Sequence, residues 1–240
     1  MPAKVHQQSE NKSQGDKLFM LAKELMSDVV PALKTSDTGY QALSWMDIFR
    51  ISHLPIVNNV EFLGLISDKD IYNLNMADEP IGNHKLSLFS PYVYEDQHIY
   101  EVIELASRLK LSAIPVLARN NEFLGTITTN DLVLHFADLS ALKHPGGIII
   151  LEINVNDYFL SQIAQIIEGN DAKILSLYIS TPEDSTKLYV TLKINRTELS
   201  SIIQTFERYD YNITASYMKD DEGDLMIKNR YDLFMRYLNI

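Results

Sequence analysis

Two similar stretches of the sequence carry a hydroxyl and a carboxylate at the same spacing. Ser67 is followed by Asp70 in the first stretch, and Thr128 is followed by Asp131 in the second. A hydroxyl beside the unpartnered N–H groups of a helix start suits a phosphate, because the helix dipole favours an anion there. A carboxylate one turn later only accepts hydrogen bonds, which suits the two hydroxyls of a ribose. Each pair therefore has the chemistry to hold a ribose phosphate.

The same four residues also have a purely structural interpretation. Ser67 and Thr128 can cap the helices that follow them, with Asp70 and Asp131 as the return partners of a capping box. Asp is less usual than Glu in that role. The residue types alone leave both interpretations open.

The elements that position these pairs form an internal repeat. Residues 54–71 resemble residues 114–132, and the polar turn is one residue longer in the second copy. Each copy has two short apolar runs around that turn, which predicts a β-hairpin. An extended segment and a helical pattern precede each hairpin, and a further helix follows it. The repeat therefore predicts two β-α-β-β-α units that bury a face on one another. Gly64 and Gly125 lie in the predicted strands, where Gly often marks a close approach to the backbone.

A different pattern follows Lys143-His144-Pro145-Gly146-Gly147, which breaks both helix and strand. Residues 148–218 predict the order β-α-β-β-α-β, a ferredoxin-like arrangement. Apolar residues at helical spacing add a helix over residues 225–238. The chain is thus expected to be an α+β or α/β protein. Its predicted parts are a disordered tail (1–17), a first repeat unit (18–80), a second (81–139), a linker (140–147) and a last domain with the C-terminal helix (148–240).

Composition limits the function classes. The chain has 240 residues, a net charge of −11 and no cysteine. The negative charge disfavours nucleic acid, and the absence of cysteine excludes disulfides and thiolate metal sites. No apolar run is long enough to predict a membrane span. A cytoplasmic protein is expected.

The doubled pattern of apolar-Pro-apolar-apolar, polar turn and Gly-x-apolar-Ser/Thr-x-x-Asp resembles a tandem CBS-domain module, or Bateman module. The resemblance covers about residues 25–136. It implies an adenosine-type ligand, for which AMP, ADP, ATP, NAD and S-adenosylmethionine are the candidates, and no required cofactor. It also implies that the base lies near the segment before the first hairpin strand. That adds His53 and Pro55 in the first copy, and Ala113 and Pro115 in the second.

The last domain resembles an ACT or ACT-like domain by its element order. ACT domains that bind amino acids usually carry Gly where the first strand meets the first helix. This sequence has Val155, Asn156 and Asp157 there, so a structural or dimerising role is favoured, with Asn156 or Asp157 as a helix cap. A CBS pair followed by an ACT-like domain is also the layout of acetoin-utilisation-type bacterial proteins.

The expected protein is a non-catalytic regulator and a homodimer. The sequence has no nucleophile motif, Walker loop or metal-ligand spacing. Arg50 and Lys110 precede the hairpins, where each either faces a phosphate or is merely solvated. The alternative function is a structural or dimerisation module whose clefts are empty and which acts through protein–protein contacts.

Overall fold

In a computed structural model of the protein, the two copies of the repeat form one unit and the rest of the chain forms another. The units are Met1–Phe136 and Ala137–Ile240. The structure describes residues 20–27, 29–74, 77–84, 90–182 and 186–218. The predicted tail (1–17) and the predicted C-terminal helix (225–238) lie outside these residues.

Both copies of the repeat contain the predicted hairpin between two helices. Buried residues of the first hairpin, Leu54 and Ile56, pack in one cluster with Ala42 and Met46 of the preceding helix. The elements are α1 (Ala22–Leu25), α2 (Gly39–Phe49), β1 (His53–Asn58), β2 (Glu61–Ser67), α3 (Asp68–Leu74), β3 (Val93–Tyr94), α4 (Ile99–Leu109), β4 (Ala113–Leu117), β5 (Phe123–Thr128) and α5 (Thr129–Leu139).

The predicted extended segment differs between the copies. In the second copy it is β3, which pairs in parallel with β4. In the first copy it is reduced to one parallel bridge between Leu33 and Ile56. Pro31 stands two residues before that bridge and has no N–H to extend a ladder.

The first helix is shorter than its apolar spacing predicts. Apolar residues at helical spacing predict a helix over residues 18–26, whereas α1 covers only Ala22–Leu25, and Leu18 lies outside the described residues. The N–H groups of Ala22 and Lys23 donate to the carbonyls of Gln97 and Glu95, at 2.8 and 3.0 Å. The N–H groups at the start of α1 are thus bonded to the second copy, and these tertiary hydrogen bonds hold α1 in place.

The second unit is an antiparallel four-stranded sheet in the order β7-β8-β6-β9. That order and the β-α-β-β-α-β sequence of elements confirm the ferredoxin-like prediction. Its core joins alternate residues of the sheet to the two helices, with Phe206 fully buried among them. The elements are β6 (Gly147–Asn154), α6 (Leu160–Glu168), β7 (Ile174–Ser180), β8 (Lys187–Ile194), α7 (Ser200–Arg208) and β9 (Asn212–Tyr217).

The two glycines where β6 begins lie at close approaches between parts of the chain. Gly146 has a φ of 150°, and a Cβ on it would collide with the carbonyl oxygen of Ile194. A Cβ on Gly147 would lie 2.5 Å from the side chain of Leu199. The break expected at this point is therefore also a place where the chain passes close to its neighbours.

The predicted cap of α6 is wrong. Asn156 and Asp157 lie in a separate 3-10 turn, and α6 begins after Phe159 without a side-chain cap. Asp157 instead accepts a hydrogen bond from Asn154 at 3.0 Å. The acidic residue thus stabilises the turn that stands where the strand-to-helix junction was expected.

Candidate ligand-binding site

The two hydroxyl–carboxylate pairs have nearly the same geometry. Asp70 Oδ2 accepts from the Ser67 N–H at 2.8 Å and from its hydroxyl at 2.6 Å, while the Asp70 N–H donates to Ser67 Oγ at 3.2 Å. For Thr128 and Asp131 the corresponding distances are 3.0, 2.6 and 3.1 Å. Each pair is therefore a reciprocal capping box, as the structural interpretation predicts.

The capping role does not use the whole carboxylate. The two bonds that each carboxylate accepts both go to Oδ2, and Oδ1 of Asp70 and of Asp131 has no hydrogen-bond partner among the described residues. Asp70 is exposed and Asp131 is half-buried. Each carboxylate therefore keeps a free acceptor, so capping and ligand binding are compatible.

The strand register puts the predicted base-contacting residues on the same face as the pairs. His53 lies opposite Ser67, and Ala113 lies opposite Thr128. Residues directly opposite in an antiparallel pair point to the same side, as do residues two apart on one strand. Pro55 and Pro115 therefore share these faces. The other face of the first hairpin, with Leu54 and Ile56, packs in the core with α2.

The two hairpins meet where β1 and β4 begin. The Ser52 N–H donates to Ser112 Oγ at 2.8 Å, and the Ser112 N–H donates to His53 Nδ1 at 3.3 Å. At the turn end, the Phe123 N–H donates to the Val60 carbonyl, and Phe123 stacks on Phe62. The faces that hold the predicted site residues therefore lie between the two copies.

The junction selects one tautomer of the neutral His53 ring. Because a backbone N–H donates to Nδ1, that nitrogen acts as an acceptor, and the neutral ring carries its proton on Nε2. Burial lowers the pKa of His53 below its usual value, and the nearby carboxylates of Asp68 and Asp70 only partly oppose this. The first cleft therefore presents an uncharged imidazole beside Ser67.

The two basic residues occupy helix ends. Arg50 and Lys110 are the C-cap residues of α2 and α4, and both adopt left-handed backbone, with φ of 56° and 54°. The Arg50 guanidinium pairs with Asp47 at 2.8 Å on an exposed surface. Lys110 lines a groove of about 640 Å³ with apolar residues of α4 and α5, including Val133 and Phe136. The structure gives Arg50 an ion-pair partner that the sequence analysis did not identify.

Sequence reasoning missed three residues of this region. Ser52 and Ser112 are kept in both copies, directly before the first hairpin strand, and that repetition was the available signal. Thr126 lies opposite Pro115, and its hydroxyl is buried without a hydrogen-bond partner among the described residues. No pattern in the sequence indicates that state.

The second unit has a polar pocket of about 500 Å³ at one end of its sheet, where the junction between β6 and α6 lies. Glu152 is central to it and is bonded by Lys187, Tyr189 and Asn212. The Lys187 ammonium and then the Tyr189 hydroxyl lower the pKa of Glu152. Because these groups already satisfy one another, the pocket does not assign a ligand to this unit.

A family model identifies the two copies of the repeat. The CBS domain family model matches residues 22–77 and 86–138. The chain therefore contains two CBS domains in tandem, which confirms the resemblance to a Bateman module.

Solved structures with similar folds match about half of this chain. A CBS domain pair/ACT domain protein from Thermotoga maritima is 20% identical over 50% of this chain and 98% of its own, with a TM-score of 0.44. A Vibrio cholerae protein described as an acetoin utilization protein (AcuB) is 22% identical over 52% of this chain and 96% of its own, with a TM-score of 0.44. CBSX2 in complex with AMP is 16% identical over 49% and 96%, with a TM-score of 0.43.

The described residues contain neither a metal-binding cluster nor a membrane-spanning helix. No group of three or more His, Cys, Asp or Glu side chains there is arranged to hold a metal ion. Within the same residues, no helix combines the length and the apolar character needed to cross a membrane.

Proposed function

We propose that this chain is a non-catalytic, cytoplasmic regulatory protein that binds an adenine nucleotide or a related adenosine ligand between its CBS domains. The proposed contacts are Ser67, Asp70, His53 and Pro55 in the first cleft. In the second cleft they are Thr128, Asp131, Ala113 and Pro115. Binding changes how the ACT-like domain or a partner is presented, to the extent that the ligand prefers one state.

The observation that carries this proposal is the free carboxylate oxygen of each capping box. Asp70 and Asp131 are held in place through Oδ2 by the residues they cap, so Oδ1 is oriented without further cost in conformational entropy. A ribose offers two neighbouring hydroxyl donors to such an acceptor. At the start of α5 the Thr129 N–H donates to the Ser112 carbonyl and the Asp131 N–H donates to Thr128 Oγ1. The positive end of the helix dipole, rather than a set of free N–H groups, is therefore what favours a phosphate there.

The test is a thermal-shift and calorimetry series on the full chain with AMP, ADP, ATP, NAD and S-adenosylmethionine. We expect at least one of these compounds to raise the unfolding temperature and to bind with measurable heat, because a ligand of the folded state stabilises it. Flat responses to all five from a folded sample would rule out the proposal.

The alternative is a module that acts through protein contacts with empty clefts, and an exposed apolar groove provides a surface for such contacts. The groove between α4 and α5 is mainly apolar, and Val133 and Phe136 on its wall are 67% and 46% exposed. Exposed apolar surface of this kind commonly marks an interface. A second copy of the chain is the proposed occupant, which makes the protein a homodimer in either reading.

A further inference from the structure

Thr126 has a buried hydroxyl that the capping geometry does not explain. Its side chain is fully buried, and its Oγ1 has no hydrogen-bond partner within the described residues. A buried hydroxyl without a partner costs free energy, so native structures usually pair it with a protein group, a water or a ligand. A hydrogen-bond partner for the Thr126 hydroxyl would therefore stabilise the structure.

The strand register places this hydroxyl on the proposed ligand face. Thr126 lies opposite Pro115 and two residues before Thr128, and the β-bulge in this hairpin comes later, between Val116 and Leu117. The alternation of sides is therefore regular at Thr126, and its side chain points the same way as those of Pro115 and Thr128. Two residues of strand separate Thr126 from Thr128 by about 6.5 Å.

The first cleft lacks this group. The residue opposite Pro55 is Leu65, which is also buried but has no polar side-chain atom. His53 and Leu65 in the first cleft correspond to Ala113 and Thr126 in the second. The two clefts thus differ in where a base can find a hydrogen bond.

We propose that the Thr126 hydroxyl hydrogen-bonds the base of a nucleotide in the second cleft and makes that cleft selective for the base. This inference rests on the proposed function and adds a specificity residue to it. A hydroxyl both donates and accepts, so it can pair with either an amino group or a ring nitrogen of the base. Leu65 gives the first cleft no equivalent contact.

The test compares Thr126→Val with the wild-type chain for two probes, AMP and ribose 5-phosphate. Valine keeps the shape and removes the hydroxyl. We expect the second cleft to bind AMP about two- to tenfold more weakly, as for one lost hydrogen bond. Ribose 5-phosphate, which has no base, should bind equally to both proteins. The variant without ligand should unfold at a higher temperature, because the unpaired hydroxyl is gone.

Two further variants keep the result interpretable. Thr126→Ser restores a hydroxyl and should recover most of the AMP affinity. Thr191→Val changes another buried threonine, in the second unit, and should leave the AMP affinity unchanged.

Three results would overturn the inference. They are an unchanged AMP affinity in Thr126→Val, an equal loss for AMP and ribose 5-phosphate, and a lower unfolding temperature, which would show that the hydroxyl has a partner in the protein. Failure of the wild type to bind AMP also overturns it, whereas the proposed function itself fails only if all five adenosine compounds fail to bind.

Discussion

At the scale of single residues, the capping pairs are compatible with both roles that the sequence presents as alternatives. Asp70 caps α3 through one oxygen and keeps the other free, and Asp131 does the same for α5. The choice between cap and ligand contact was therefore not exclusive. A residue fixed by its structural role is also preorganised for binding.

The protonation of His53 gives a prediction at this scale. Its pKa is lowered by burial, so the unfolded chain binds a proton at a higher pH than the folded chain does. The free energy of unfolding should therefore fall as the pH drops below about 6.5, and this contribution should level off once the pH passes below the folded-state pKa. In His53→Asn, whose side-chain oxygen can accept the Ser112 N–H without titrating, the fall should be smaller.

Urea unfolding between pH 5 and pH 7.5 measures this difference. Trp45 is the only tryptophan and lies in α2, so its fluorescence reports on the unit that contains His53. The exposed His144 provides a control, and His144→Asn should keep the wild-type pH dependence. If the free energy of unfolding depends on pH equally in the wild type and in His53→Asn, burial does not lower the pKa of His53 as proposed.

At the scale of elements, the start of α2 gives a prediction. Thr38 is the N-cap of α2, and its Oγ1 accepts a hydrogen bond from the Gln41 N–H at 3.3 Å. The sequence analysis did not identify Thr38 as a cap. Thr38→Ala should lower the free energy of unfolding by about 1 kcal/mol, because it removes the partner of a helix-start N–H. Urea unfolding followed at Trp45 measures the change, and Ser36→Ala, two residues earlier, should have little effect. A larger loss of unfolding free energy in Ser36→Ala than in Thr38→Ala would contradict the role of Thr38 as the N-cap.

The elements that the sequence predicts best are those that local patterns determine. Short apolar runs around a polar turn predict both hairpins, and α3 (Asp68–Leu74) is the helix expected after the first of them. The ferredoxin-like order follows from the same kind of pattern in the second unit. Residue spacing and turn chemistry act within a few positions, so they can be read from the chain directly.

The features that the sequence does not predict depend on contacts between distant residues. The short α1 is held by carbonyls of Gln97 and Glu95, and Ser52 meets Ser112 only because the two hairpins pack together. The unpaired hydroxyl of Thr126 is likewise a property of the folded environment. The candidate site was therefore predictable as a set of motif residues, while its junction and its asymmetry required the structure.

At the scale of the whole molecule, the apolar groove on the second CBS domain predicts the oligomeric state. Val133→Lys places a charge on its exposed wall and should convert the proposed homodimer into a monomer, because burying an unpaired ammonium is costly. Light scattering across a range of concentrations measures this change. Val155→Lys, at another exposed apolar residue, is the control and should stay dimeric. A wild-type chain that is monomeric at every concentration would contradict the proposed dimer.

We propose that the duplicated hydroxyl–carboxylate pairs bind adenosine ligands. Calorimetric titration of the full chain and of the double variant Asp70→Asn, Asp131→Asn with AMP, ATP and S-adenosylmethionine tests this binding. Asparagine keeps an acceptor for the cap and removes the charge. Glu101→Gln, in the capping box of α4, is the matched control outside the site. We expect the wild type and the control to bind one of the three compounds, and the double variant to bind it at least about tenfold more weakly, as for a lost hydrogen bond to a charged group. Binding of equal strength in the double variant would contradict the account.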